Sequence, residues 1–221
     1  MTIIVKFGGS LTRGAAPHTL LQRLAGQRGL VVVPGGGALA DAVRAVQPQW
    51  RLTDGAAHRM ALLAMEQMAH AMADLAPGLV PACSRAELAQ AATVGTALWF
   101  PAAMTLGRAE IPESWAVTSD SLSVWLAAEL SAERLVLVKA PGLRLPAPAG
   151  SRAGDIAAWT GLGLVDAAFA TMAQGFRGDI LLVPADEAGR LDDALRPGKK
   201  ERDIIGEVKP EDGSKEGSRP S

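Results

Sequence analysis

Two lysines stand out by their rarity. Between residues 1 and 198 the chain carries only Lys6 and Lys139 as lysines, against fourteen arginines. Each closes an apolar run, Ile3-Ile4-Val5-Lys6 before Gly8 and Leu135-Val136-Leu137-Val138-Lys139 before Gly142. Open α/β sheets bind ligands at the carboxyl ends of their strands, and an ammonium there is a compact point charge suited to a phosphate. Two glycine turns accompany the first lysine, Gly8-Gly9-Ser10 and Gly35-Gly36-Gly37. Glycine lets backbone N–H groups approach an anion closely, and a following helix N-terminus adds partial positive charge. Two such loops in the first 40 residues point to two anionic groups held near each other, as phosphoryl transfer between two bound molecules requires.

A third cluster, Thr118-Ser119-Asp120-Ser121, opens an amphipathic segment. Local rules read it as a helix N-cap. Its hydroxyls exceed what capping needs, so Asp120 is a candidate to orient the lysines, and Ser119 and Ser121 to donate hydrogen bonds to phosphate.

Other chemistries fit less well. Gly35-x-Gly37-x-x-Ala40 matches a dinucleotide fingerprint, but Arg51-Leu52-Thr53-Asp54, where the ribose-binding acid is expected, does not end an apolar strand and reads as a helix start. No Walker A pattern is present. His58 and His70 lie twelve residues apart on one predicted helix, which turns them about 120° from each other, so they do not form a metal pair. His58 reads either as a substrate contact or as a partly buried structural histidine. The single cysteine, Cys83, excludes an intramolecular disulfide or a cysteine zinc site and reads as a small buried hydrophobe.

The elements that must position these groups follow from the apolar pattern. Strands are expected at 2–6, 30–33, 79–82, 97–100, 135–139 and 179–183, and helices at 17–27, 37–46, 55–76, 120–131, 164–175 and 186–195. Their alternation predicts an α/β fold, a mostly parallel central sheet with helices on both faces. Segment 55–76 carries Met65, Met68 and Met72 at helical spacing, either as a core stripe or as a subunit interface, and a homo-oligomer is expected from it. Residues 140–155 read as loop.

The chain has 221 residues, 48% hydrophobic and 20% charged, with a net charge of −1. This suits one globular domain over 1–197 with a disordered charged tail over 198–221. Balanced charge without a basic stripe argues against a nucleic-acid partner. No apolar run reaches the roughly 18 residues of a membrane span, and with no signal-like start the expected location is cytoplasmic.

Taken in order, Val5-Lys6-Phe7-Gly8-Gly9-Ser10, Pro34-Gly35-Gly36-Gly37, Thr118-Ser119-Asp120 and Val136-Leu137-Val138-Lys139 with Gly142 resemble the amino acid kinase superfamily, over residues 1 to about 195. Trp115–Ser123, Ala57–Ala61 and Val165–Phe169 are similar to its branch in methanofuran and methylofuran biosynthesis, which phosphorylates the phosphate of an aminomethylfuran phosphomonoester. The resemblance implies a three-layer kinase sandwich that uses ATP, with Mg²⁺ held mainly by ATP itself. It implies that Lys6 bridges the transferring phosphoryl group, that Asp120 organises the lysine, and that Gly8, Gly9 and Ser10 cradle the ATP phosphates. Lys139 completes the catalytic candidates, and Ser119, Lys139 and Gly142 the ATP-binding ones. Gly35, Gly36 and Gly37 would hold the acceptor, with Asp54, His58 and Thr118 as further contacts.

Two departures are visible. Lys139-Ala140-Pro141-Gly142 lacks the acids many members carry after this strand, and no lysine lies between 140 and 198. A non-catalytic nucleotide- or oxyanion-binding or assembly subunit is therefore the alternative expectation.

Overall fold

Alternate residues of a strand face opposite sides of a sheet, so an unbroken apolar run marks a strand covered on both faces. The computed structural model, which describes residues 2–12, 16–144 and 153–198, places six such runs side by side. They are β1 (Ile3–Phe7), β2 (Leu30–Pro34), β3 (Leu79–Ala82), β4 (Thr96–Trp99), β5 (Arg134–Lys139) and β6 (Asp179–Pro184). All pairings are parallel, in the order β3-β4-β2-β1-β5-β6. The connecting helices are α1 (Ala16–Leu24), α2 (Gly37–Trp50), α3 (Asp54–Leu75), α4 (Arg85–Val94), α5 (Ala102–Thr105), α6 (Ser119–Glu129), α7 (Ala153–Gly161), α8 (Phe169–Met172) and α9 (Ala188–Leu195).

The two faces carry separate cores. Ile4, Val31, Val33, Leu135, Leu137 and Leu182 pack with Leu122, Leu126, Trp159 and Phe169. Ile3, Val5, Phe7, Val32, Val136, Val138 and Val183 pack on the other side with Leu21, Leu24, Leu191 and Leu195. Burying each such side chain contributes about 1.5–3 kcal/mol. The same two-residue period puts Lys6 on the face of Ile4, and Lys139 on the face of Leu135 and Leu137. Both lysines thus emerge beside α6. Lys6 pairs in register with Leu137, which leaves Lys139 two positions further along β5.

From β1 the chain moves one way to β2, out to β3 at the edge and back to β4 between them, then crosses to the other side of β1 with β5 and β6. That switch opens a crevice beyond the carboxyl ends of β1, β2 and β5, where open α/β sheets take their ligands.

The expected sheet and two-sided helical cover are present. Helix 37–46 runs on to Trp50, with Pro48 inside it. Helix 164–175 reduces to α8 and a 3₁₀ turn at Ala173–Gly175, while α4, α5 and α7 were not anticipated. Met65 and Met72 of the methionine stripe are core residues. Cys83 is exposed rather than buried, with its thiol donating to Glu87 Oε2 at 3.1 Å. No helix among the described residues is long and apolar enough to cross a membrane. The tail expected over 198–221 lies outside the described residues beyond Gly198, as do 145–152 of the expected loop; of Ser10 only the backbone is described.

Candidate functional site

Lys6 Nζ and Lys139 Nζ meet on a single oxygen, Asp120 Oδ1, at 2.9 and 3.0 Å. All three residues are buried. Each arrives from a different element: Lys6 from the carboxyl end of β1, Lys139 from the end of β5 and Asp120 from the first turn of α6. Burial pulls the Asp120 carboxyl upward, but the two ammoniums outweigh it and hold the group below the usual carboxylate range. Burial and the neighbouring Lys6 charge push Lys139 down to about 8, against the pull of Asp120. Two cations on one anion leave a net positive charge at the edge of the sheet, ready for a more highly charged anion.

The start of α6 is fixed from outside. Thr118 contributes no cap through its own side chain. Instead Asp166 Oδ2 accepts from Thr118 N at 2.8 Å, Thr118 Oγ1 at 2.7 Å and Ser121 N at 2.9 Å, and Asp166 Oδ1 accepts from Ser121 Oγ. A carboxylate at a helix N-terminus matches both the open N–H groups and the dipole. Ser121 is fully buried in this contact, so its hydroxyl is directed at Asp166 and away from any ligand.

The two glycine turns interlock. Gly35 N donates to Phe7 O at 2.9 Å. A Cβ on Gly9 would lie 2.5 Å from Gly37 N, and one on Gly36 would lie 2.6 Å from the Ala40 Cβ. Gly37 opens α2 at a φ of +53°, a left-handed conformation that glycine adopts without strain. The first turn of α2 has neither a side-chain cap nor an acidic residue, so its N–H groups face the crevice as an anion-binding end.

Beside these turns lies a cavity of about 370 Å³, lined by Gly9, Gly36, Gly37, Ala40, Asp41 and Arg44, by His58, Ala61, Leu62 and Met65 of α3, and by Trp115, Val117, Thr118 and Ser119. Burial lowers the pKa of His58, partly opposed by Glu113, and so favours the neutral ring.

The structure therefore brings Lys6, Asp120 and Lys139 into one cluster, and Gly9, Gly36, Gly37, His58, Thr118 and Ser119 around one cavity. Gly8 and Gly35 lie in the interlocked turns. Asp54 and Gly142 stand apart: Asp54 accepts from Gln47 Nε2 at 2.8 Å, and Gly142 N donates to Asp186 Oδ2 at 2.9 Å. Sequence reasoning missed Asp41, Arg44, Trp115 and Asp166 as site residues. Gly37, Asp41 and Arg44 share one face of α2 at helical spacing, a signal that could have found two of them. Among the described residues no group of three or more His, Cys, Asp or Glu side chains is placed to hold a metal ion.

The sequence matches the family model described as "Amino acid kinase family" over residues 1–141. The chain belongs to the amino acid kinase family. Membership makes it a kinase, implies that it uses ATP and implies a small-molecule phosphate acceptor. A curated relative in Methanocaldococcus jannaschii, [5-(aminomethyl)furan-3-yl]methyl phosphate kinase, is 27% identical over 208 residues, covering 87% of this chain and 92% of that protein. The fold is shared with uridylate kinase from Archaeoglobus fulgidus at a TM-score of 0.60 and 12% identity, over 86% of this chain and 95% of that one. Aspartate kinase from Synechocystis aligns at a TM-score of 0.59 and 16% identity, over 85% of this chain and 38% of that one.

Proposed function

We propose that this kinase transfers the γ-phosphoryl group of ATP to the phosphate of a small phosphomonoester of the [5-(aminomethyl)furan-3-yl]methyl phosphate class, giving a diphosphate and ADP. The observation that carries the reading is the pair of buried ammoniums, Lys6 and Lys139, drawn to one Asp120 oxygen beside two interlocked glycine turns. Phosphoryl transfer asks a protein for positioning and charge stabilisation and for little covalent work.

An oxygen of the acceptor phosphate attacks the γ-phosphorus while the bond to the β,γ-bridging oxygen breaks, and ADP leaves with that electron pair. Lys6 and Lys139 stabilise the charge that develops on the transferring group, and Asp120 keeps both ammoniums aimed at one point. Gly8 and Gly9 serve the nucleotide phosphates, and the open end of α2 at Gly36 and Gly37 the acceptor. His58 and Thr118 border the acceptor cavity. Asp120 is engaged by the lysines and Asp166 by the start of α6, so the donor set fits phosphate oxygens rather than a resident metal. Mg²⁺ carried on the nucleotide would neutralise charge on its β- and γ-phosphates.

The relative's printed activity supports the acceptor class, as does a cavity sized for a small molecule. A homo-oligomer is part of the same proposal: α3 exposes Leu63 on the side away from its buried residues and Leu75 at its last residue, with Trp50 exposed at the end of α2.

The test is to incubate the full chain with ATP, Mg²⁺ and a panel of phosphomonoesters and carboxylates, then search for the diphosphate or acyl phosphate by mass spectrometry. The proposal expects ADP and diphosphate in equal amounts with the aminomethylfuran phosphate. Nucleotide binding in calorimetry with no phosphorylated product from any acceptor would overturn it in favour of a non-catalytic binding subunit.

A further inference from the structure

One wall of the acceptor cavity comes from a residue distant in sequence and unusually well braced. Trp115 lines the cavity and is only half-buried. Its Nε1 donates to Gln47 Oε1. Gln47 Nε2 in turn donates to Asp54 Oδ1 at 2.8 Å. The Arg44 guanidinium lies over the indole, its Cζ 4.3 Å from the ring centroid, and is paired with Asp41 at 3.2 Å. Gln47 is also the pivot of the following turn, because its carbonyl accepts from the N–H groups of Arg51 and Leu52. Four side chains, Asp41, Arg44 and Gln47 of α2 and Asp54 at the start of α3, thus set the plane of one ring.

This bracing does not serve the core, since Trp115 belongs to neither apolar cluster. From α3 the same cavity receives Ala61, Leu62 and Met65. Alanine leaves space, and methionine adapts its shape to a neighbour. A fixed indole together with soft apolar lining makes a slot that favours a flat ring over a flexible alkyl chain, because stacking adds to burial and little freedom is lost on ordering a ring.

We propose that Trp115 determines acceptor specificity: the acceptor's flat unsaturated ring lies against it, while Arg44, Gln47 and Asp54 are positioning residues that hold the indole. The inference rests on the phosphomonoester reading above and deepens it. It also gives Asp54 a place at the site without contact with the acceptor.

The test uses the full chain with furfuryl phosphate and n-butyl phosphate as probes, in calorimetry without ATP and in turnover with it. Wild type is expected to bind furfuryl phosphate more tightly by about tenfold. Trp115→Ala is expected to erase that preference while ATP affinity is unchanged. Trp115→Phe keeps most of it, because it keeps a ring. Gln47→Leu lowers it partway and raises the acceptor KM with little change in kcat. A wild-type protein that binds both probes equally, or a Trp115→Ala protein that keeps the preference, overturns the inference. If Trp115→Ala does not fold, an undiminished preference in Gln47→Leu removes the positioning role, and the wild-type comparison still decides the rest. Binding preference that depends on Trp115 without any turnover would leave this inference standing and remove the kinase reading of the site. Turnover of both probes with no dependence on Trp115 would do the reverse.

Discussion

Gly9 and Gly35 meet through their backbones: a Cβ added to Gly35 would lie 2.4 Å from Gly9 N and 3.1 Å from the Gly8 carbonyl carbon. The atoms it would meet are backbone, not the yielding end of a side chain. The two glycine turns hold each other's position, so a methyl group at this point must separate them. Overpacking of this kind costs about 1–3 kcal/mol. Gly35→Ala is therefore expected to lower the melting temperature and to weaken both ATP and acceptor binding in calorimetry. Loss of only one of the two affinities would show that the loops act independently.

Lys6 and Asp120 make opposite predictions for stability. Lys6→Ala leaves Asp120 still paired with Lys139, so the fold should melt close to wild type. The rate should fall about 10²–10³-fold, as for other losses of one preorganised charge. Asp120→Asn leaves two buried ammoniums side by side without an anion, a defect that costs about 3–5 kcal/mol. Thermal melts and kcat measured on both variants check this, and equal melting temperatures would contradict the charge arrangement.

Lys139, with its pKa of about 8 against an ordinary 10.5, ties rate and stability to pH in opposite senses. In the proposed reaction the charged form serves catalysis, so kcat/KM for ATP should decline as pH rises through about 8. Between about 8 and 10.5 the unfolded chain holds more protons than the folded one, so this residue's contribution to stability improves as pH rises across that window. Lys139→Met should turn over slowly at every pH and lose the basic limb. A wild-type profile flat from pH 7 to 9.5 would assign the limb to no group at this site.

The exposed side of α3 is expected to mediate self-association. Light scattering at micromolar concentration should give at least a dimer, and Leu63→Glu should shift it to monomer without changing the fold seen by circular dichroism. A wild-type monomer would leave Leu63 and Leu75 as ordinary exposed leucines.

Much of this architecture was legible in the chain. Strand bounds fall within a residue of the expected ones, because the interiors of the central strands are continuous apolar runs. Lys6 and Lys139 were legible through scarcity, and Asp120 through its place at a helix mouth. Less visible was α4, although Ser84 and Glu87 carry the capping spacing, with Ser84 Oγ accepting from Glu87 N at 3.2 Å. The helix expected over 37–46 runs through Pro48 to Trp50. Asp166 and Trp115 stayed hidden because their partners lie 45 to 68 positions away, and no local pattern reports contacts over that distance.

The cap on α6 has a consequence for how the site comes into being. Lys6, both glycine turns, Asp120 and Lys139 all leave the ribosome before Asp166, whose carboxylate gathers Thr118 and Ser121 at the helix start. A nascent chain ending at Val165 would hold every charge of the Lys6–Asp120–Lys139 cluster, but the turn that aims Asp120 would still lack its clasp. Completion of the α6 start is thereby placed in the second half of synthesis, after every charge of the cluster has already been made.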